Sequence, residues 1–386
     1  MYLPATHFDD LDKDEALFLE ALDSEDVSIP KEFSYFPYAK PYREQVDLMT
    51  NLYKYLSDSC SGIIESPTGT GKTSSLLTAS LTWLLDVRSE EMAEYTRHVK
   101  ELNDAEVASS KTSDWINQHD DLIKIRKSHL PVIEDGKKEN ERLDEVEIIR
   151  ENFRSYQVED IEDLCLNQTK QCQRIMEIFE KDEETTDEFL VNEPQTKFRE
   201  PHFENAKRSG TKIIYCSRTH SQLSQVMQEF FKMSNNIQSK ISVLTLASRQ
   251  MLCVNPDVYQ DSNFKLINEK CIHLNKSSKG CPAKKNSRLI SKVLIASNIS
   301  STEIATHCRE KKAKTSSIGC PYYANRNGIH YADLLLTPYN LMLLPSSRKT
   351  LGVSLEDCVV IFDEAHNILD SIASSLTIKI TLNQFK

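Results

Sequence analysis

Hydrophobic positions along this 386-residue chain fall into two recurring patterns. Val46, Met49, Leu52, Tyr53 and Leu56 recur at helical spacing, which predicts a helix over residues 43–57 with one buried face. Gly62-Ile63-Ile64-Glu65 then reads as a short apolar strand, and an apolar helix is expected from Ser74 to Leu85. Four later runs are apolar without alternation, at 212–216, 243–246, 334–337 and 358–362. Such runs suit parallel strands covered on both faces, and helical stretches separate several of them. The pattern predicts a doubly wound α/β sheet with helices on both faces, interrupted twice by inserted material.

Residues 90–206 differ from this pattern. They are rich in Glu, Asp, Lys, Asn and Gln, with scattered apolar positions such as Ile148, Ile149 and Phe153, and they read as an acidic, partly helical insertion. Residues 1–30 read as an acidic arm with one amphipathic stretch around Leu17, Leu19 and Leu22. Charge sharpens the division. The formal net charge is -11, yet Lys and Arg minus Asp and Glu give -15 over residues 90–206 and +13 over 207–320. A basic block inside an acidic chain points to nucleic acid, although a solvated surface with compensating neighbours would look the same. No run approaches the ~20 apolar residues that a membrane span needs.

The chemistry concentrates at two places. Ser66-Pro67-Thr68-Gly69-Thr70-Gly71-Lys72-Thr73 is a P-loop with serine at the position usual for its first glycine. Gly69 and Gly71 let backbone N–H groups turn inward around phosphate, and the following helix N-terminus favours negative charge. Lys72 is expected to neutralise the β- and γ-phosphates of ATP, and the Thr73 hydroxyl to coordinate Mg2+. Asp363-Glu364-Ala365-His366 directly follows the last apolar run. An acidic pair at the carboxyl end of a parallel strand lies where such sheets present ligands. Asp363 is expected to hold Mg2+ and Glu364 to orient and deprotonate the attacking water. Loop and acidic strand end are expected to meet across one sheet edge, which reads as an ATPase.

Ten cysteines in a chain without an export signal argue against a disulfide framework. Cys253, Cys271, Cys281 and Cys320 fall in the basic block at spacings of x17, x9 and x38, which is neither a ferredoxin nor a paired zinc pattern. From spacing alone, a metal site and four unrelated core thiols both remain open.

Three segments together resemble the XPD-like iron–sulfur branch of superfamily 2 DNA helicases: the P-loop with Glu65, Tyr215 to Leu223 around Ser217-Arg218-Thr219-His220, and Phe362 to Asn367. Phe36-Pro37-Tyr38 ahead of the P-loop, and the long charged insertion behind it, are similar to the ChlR-type, chromosome-loss branch. The resemblance covers about residues 33–88 and 211–370 by motif order. It implies a RecA-like first motor domain in three parts (31–89, 207–250, 323–386), broken by the insertion 90–206 and by an iron–sulfur domain at 251–322. It further implies a [4Fe-4S] cluster on Cys253, Cys271, Cys281 and Cys320, with Cys308 a substitute for one ligand and zinc an alternative metal. It gives His366 a catalytic place beside Lys72, Asp363 and Glu364. Tyr42 and Gln45 would recognise adenine, although Tyr42 could equally pack on the following helix. Ser217, Arg218, Thr219, His220, Gln222 and Arg249 would contact DNA. The implied activity is ATP-dependent unwinding, 5′→3′, of single-stranded and forked DNA in the nucleus, with replication-fork or cohesion proteins as partners. The second motor domain of such helicases is missing from this stretch, so a non-unwinding ATP- and DNA-binding module is the alternative. An RNA helicase of the DEAH type is disfavoured by the SRTH segment and the cysteines.

Overall fold

The computed structural model describes residues 32–67, 69–110, 115–156, 211–260, 264–310 and 319–377. The acidic arm, Thr68, and the part of the insertion at 157–206 with Cys165 and Cys172 lie outside the described residues. The chain divides into two units, residues 1–85 and 86–386.

In the first unit, helix α1 (Arg43–Ser57) forms where the periodicity places it and buries Gln45, Leu48, Met49, Leu52 and Tyr53. Val46, counted with the buried face in the sequence, is 38% exposed. Helix α2 (Lys72–Ser110) starts at the P-loop and packs Ala79 on Met49 and Leu52. The strand expected at Gly62–Glu65 does not form: residues 60–67 carry no regular structure and Ile63 is 98% exposed. A strand needs a hydrogen-bonded neighbour, and the described residues of this unit hold no second strand. The apolar helix expected to end at Leu85 instead runs unbroken to Ser110.

In the second unit, the polar stretch after Leu85 becomes a hairpin of α2 and helix α3 (Trp115–Tyr156). The pairs Glu106–Arg126 (2.6 Å), Glu101–His129 (3.6 Å) and Arg88–Glu139 (3.4 Å) set the two helices antiparallel. Two helices that mainly face each other need only a narrow apolar seam, which suits so charged a composition. Near its C-terminal end α3 turns Val146 and Phe153 into the main core.

The sheet comprises strands β1 (Lys212–Ser217), β2 (Val243–Thr245), β3 (Leu334–Pro338) and β4 (Cys358–Phe362), as their apolar runs predict. Every pairing is parallel and the order is β2-β3-β1-β4. β1, β2 and β3 are buried at every residue, whereas β4, at the edge, fully buries only Ile361. Helix α4 (His220–Lys232) follows β1 and buries Leu223, Val226, Met227 and Phe230. Helices α5 (Phe264–Lys276), α6 (Ser287–Ser297), α7 (Ser301–Glu310) and α8 (Pro321–Gly328) fill the interval between β2 and β3. Val293, Leu294 and Tyr322 from this group close the core over Ile214, Leu244 and Leu335. This is an α/β fold on a parallel sheet, consistent with a RecA-like helicase domain.

A buried ionic knot ties the hairpin to the sheet. Asp333, just before β3, accepts from Arg88 Nη2 (2.7 Å), Arg142 Nη2 (2.9 Å) and the Ser242 backbone N–H (2.7 Å). Arg142 also holds Glu139 through two bonds and donates to the Tyr331 carbonyl. Burial alone would raise the Asp333 pKa, but Arg142 and Arg88 hold its carboxyl well below the usual carboxylate range. Lys212 donates to the carbonyls of Ile329 and His330. Burial first, then the Arg142 charge, lowers its pKa to about 7.

Candidate nucleotide and nucleic-acid site

The P-loop of the first unit has the backbone its sequence demands. Gly69 (φ +84°) and Gly71 (φ +70°) both occupy the left-handed region. Lys72 Nζ donates to the Ser66 carbonyl (2.9 Å), drawing the two ends of the loop together. Ser66 Oγ and Thr70 Oγ1 lie 2.8 Å apart, and Thr70 Oγ1 donates to the Pro67 carbonyl (2.9 Å). Thr73 enters the first turn of α2, whose free N–H groups and dipole favour an anion.

Gln45 is only 6% exposed, and both ends of its amide are occupied: Nε2 donates to the Thr70 carbonyl (2.8 Å) and Oε1 accepts from the Tyr42 backbone (2.9 Å). A Cβ on Gly71 would stand 2.6 Å from Gln45 Nε2. Gln45 thus braces the loop from behind. Tyr42 is 71% exposed, which leaves most of its side chain accessible.

In the second unit, the SRTH and DEAH segments leave neighbouring strands. Cys216 pairs with Phe362, and the Asp363 backbone N–H continues the ladder to the Cys216 carbonyl (2.9 Å). Glu364 adopts a left-handed backbone (φ 56°), a conformation that costs a side-chain-bearing residue free energy and recurs at functional turns. Its Oε2 lies 3.3 Å from His366 Nδ1, and His366 Nε2 lies 2.8 Å from Asn367 Nδ2. One tautomer, protonated at Nδ1, satisfies both contacts. The Tyr339 hydroxyl donates to the Asp363 carbonyl. Burial, then the Asp363 charge, pushes the Tyr339 pKa up to about 12.

Thr219 and Gln222 cap α4 reciprocally: Gln222 N–H donates to Thr219 Oγ1 (3.3 Å), and Gln222 Oε1 accepts from the Thr219 N–H (3.1 Å) and from Ser217 Oγ (2.8 Å). Ser217 is fully buried and His220 half-buried, with burial lowering the histidine pKa. Arg218 is exposed, and its Nη1 donates to Asn367 Oδ1 (3.0 Å) across the two segments. Arg249 lies over the Tyr322 ring, 4.4 Å from its centroid. Asn367 ends the segment Phe362 to Asn367 and Tyr339 lies two residues beyond the apolar run 334–337, but residue type alone singles out neither.

The four cysteines share one neighbourhood. Burial pushes the Cys253 thiol up to about 11, and the charges of Cys271 and Cys281 also raise it. Cys320 rises to about 12, again through burial, with Cys253 and Cys281 adding to it. Among the described residues, no three of these sulfurs come within 4.8 Å of one another. Asn255 Nδ2 donates to Cys281 Sγ and Asn275 Nδ2 to Cys271 Sγ, each at 3.6 Å. The Cys320 N–H bonds to the Ala283 carbonyl (2.8 Å), which joins two cysteine turns. That approach requires Gly319, where a Cβ would meet the Asn286 carbonyl oxygen at 2.2 Å. Arg309 caps the site, donating to the carbonyls of Cys253 (2.8 Å) and Gln250 (2.9 Å). Cys308, like Cys320, belongs to the main core. Lys270, Lys276, Lys279, Lys284, Lys285 and Arg288 are exposed along this region.

Comparison with known proteins agrees with the motif order. The family described as DEAD_2 matches residues 215–385. The chain is 32% identical over 366 residues to "ATP-dependent DNA helicase CHL1" of Debaryomyces hansenii, covering 89% of this chain and 43% of the relative. It is 32% identical to "ATP-dependent DNA helicase chl1" of Schizosaccharomyces pombe (94% and 45%). It is 29% identical to "ATP-dependent DNA helicase DDX11" of Danio rerio (88% and 42%). The chain spans less than half the length of these curated relatives. No described helix is long and apolar enough to cross a membrane.

Proposed function

Because the chain belongs, over the part of those proteins that it spans, to the ChlR-type branch of XPD-like superfamily 2 helicases, we propose that it carries the ATP-hydrolysing, DNA-gripping portion of an ATP-dependent DNA helicase. The observation that carries this reading is the acidic pair Asp363–Glu364 at the carboxyl end of a parallel strand, in a chain whose P-loop glycines already hold left-handed backbones.

On binding ATP, Lys72 would exchange the Ser66 carbonyl for the β- and γ-phosphates, while Thr73 would offer its hydroxyl to Mg2+. Asp363 would hold the metal, and Glu364 would orient and deprotonate the attacking water, its carboxylate steadied by His366. Tyr42 would stack on adenine. Gln45, with its amide already occupied, would act through the loop or release one bond to read the base edge. Arg218 and Thr219 would meet the DNA backbone without regard to sequence. The exposed lysines would add affinity that falls with salt.

The four cysteines would hold a [4Fe-4S] cluster, with zinc the alternative metal. The buried Cys253 and Cys320 and the half-buried Cys271 and Cys281, the last two with amide donors, would be the ligands of such a cluster, which would pin the short polar segment between β2 and β3. This reading places the protein in the nucleus, on forked DNA, with partners at replication forks or in cohesion.

The test is ATP hydrolysis by the 386-residue chain with and without single-stranded DNA. DNA-stimulated turnover that Lys72→Arg abolishes without unfolding the protein supports the reading. Unaltered turnover in that variant refutes it. Anaerobically purified protein should be brown, with about four irons per chain and absorbance near ~400 nm; a colourless zinc protein overturns the cluster.

A further inference from the structure

We propose that His98, Glu101 and His129 form a binding site for a divalent transition-metal ion of the zinc class, which staples the two helices of the α2–α3 hairpin. His98 and Glu101 stand three residues apart on one face of α2, and His129 faces them from α3. One donor atom from each of the three lies within 4.8 Å of the other two. The imidazole rings are 4.5 Å apart at their centroids and tilted by 57°.

Hydrogen bonding does not account for this cluster. Nδ1 of His98 and Nδ1 of His129 are both buried, and neither has a hydrogen-bond partner. Glu101 Oε2, 3.6 Å from His129 Nδ1, lies beyond hydrogen-bond distance, and Glu94 Oε1 stands 3.6 Å from the other nitrogen of His98, Nε2. A neutral imidazole has one nitrogen that donates and one that accepts. With its proton on Nε2, on the side of Glu94, His98 keeps a buried Nδ1 lone pair that no hydrogen bond occupies and that a metal ion could take. Two imidazole nitrogens and a carboxylate oxygen form a borderline donor set that suits zinc, with a fourth position left for water. At Zn–N distances of about 2.0–2.1 Å the donors would sit about 3.3 Å apart, a closure that the half-exposed Glu101 side chain can make by changing rotamer.

The four cysteines would also take a transition metal under the proposed function, so the experiment counts the two sites separately. The full chain and its His98→Ala, His129→Ala and Glu101→Gln variants are stripped with chelator. Each is titrated with Co2+ followed by absorbance and with Zn2+ followed by calorimetry, and amide exchange is read across residues 91–110 and 115–137. The proposal expects the unsubstituted chain to bind one equivalent more than either histidine variant, without a thiolate charge-transfer band for that equivalent. Affinity should fall about 100-fold in the histidine variants and about tenfold in Glu101→Gln. Zn2+ should slow exchange in the hairpin of the unsubstituted chain alone. Equal stoichiometry and affinity in all four proteins, or exchange slowed equally in the histidine variants, overturns it.

Discussion

Replacing Asp333 with alanine is expected to loosen the hairpin from the sheet and destabilise the second unit by about 3–5 kcal/mol, the cost of breaking a buried pair. The magnitude follows from what is left behind. The Asp333 side chain is 2% exposed and neutralises Arg88 and Arg142, themselves 11% and 3% exposed. After substitution Glu139 is the carboxylate left facing both guanidinium groups, with Glu91 beside Arg88 and Lys212 close by, and the Ser242 N–H loses its acceptor. For a unit of this size such a loss lowers Tm by about 6–20 °C. Urea melts followed by far-UV circular dichroism measure it, and Asp333→Asn, which retains an acceptor for Ser242, should cost less. A cycle with Arg142→Met isolates the pair: the double variant should be less destabilised than the sum of the singles. The acid limb gives an independent check. The carboxyl pKa is lower in the folded protein than its ordinary 3.8. Its contribution is therefore complete above pH ~4 and lost as pH falls through the folded value, so Asp333→Asn should flatten the acid limb. A loss below about 0.5 kcal/mol, or strictly additive singles, would refute the ionic knot as the anchor.

Gly71→Ala should strain the φ of +70° and push the Gln45 amide off Thr70, weakening Mg-ATP binding at least about tenfold, as read by titration with a fluorescent nucleotide; unaltered affinity would contradict the bracing role. Lys212 binds its proton less tightly folded (about 7) than unfolded (10.5), so stability should rise between pH 7 and 9 by up to about 1.4 kcal/mol per pH unit. Lys212→Met should remove that slope in urea melts, and an unchanged slope would show that the lysine is not its source. Asn367→Ala frees Arg218 for phosphate and should lower severalfold the DNA concentration that half-saturates ATP hydrolysis; an identical DNA response would leave the Arg218–Asn367 bond without a role.

Much of this fold is legible because burial leaves a simple mark. The strands at 212–217, 334–338 and 358–362 are continuous apolar runs, and the structure pairs each as a parallel strand. The P-loop glycines are legible because few other residues tolerate their φ. The order of the four cysteines suggested that they converge, but Asn255, Asn275 and Arg309, which hold them, carry no signature in their spacing. Gly62–Glu65 misleads because apolar character creates a strand only beside a partner. Residues 90–156, read as partly helical, do form helices, but what holds them was not legible. Their charges satisfy one another across the hairpin, and the decisive contact joins Arg88 to Asp333 across 245 positions of sequence. No local window contains that pairing.

The arrangement of the second unit suggests how the two proposed activities would communicate. SRTH and DEAH end adjacent parallel strands, so the Cys216 carbonyl receives the Asp363 N–H while Arg218, two residues on, reaches Asn367. Asn367 in turn donates to the Glu364 carbonyl and contacts His366, which faces the Glu364 carboxylate. If Arg218 meets DNA as proposed, it would have two competing partners: the Asn367 amide, held in this structure, and a phosphate, with which a guanidinium makes the stronger, charge-assisted bond. Taking the phosphate would release Asn367 and with it the turn that aims Glu364. A base held in a left-handed backbone is sensitive to such a release, because the conformation persists only while its surroundings enforce it. DNA would then alter turnover through the geometry of Glu364, without touching the nucleotide.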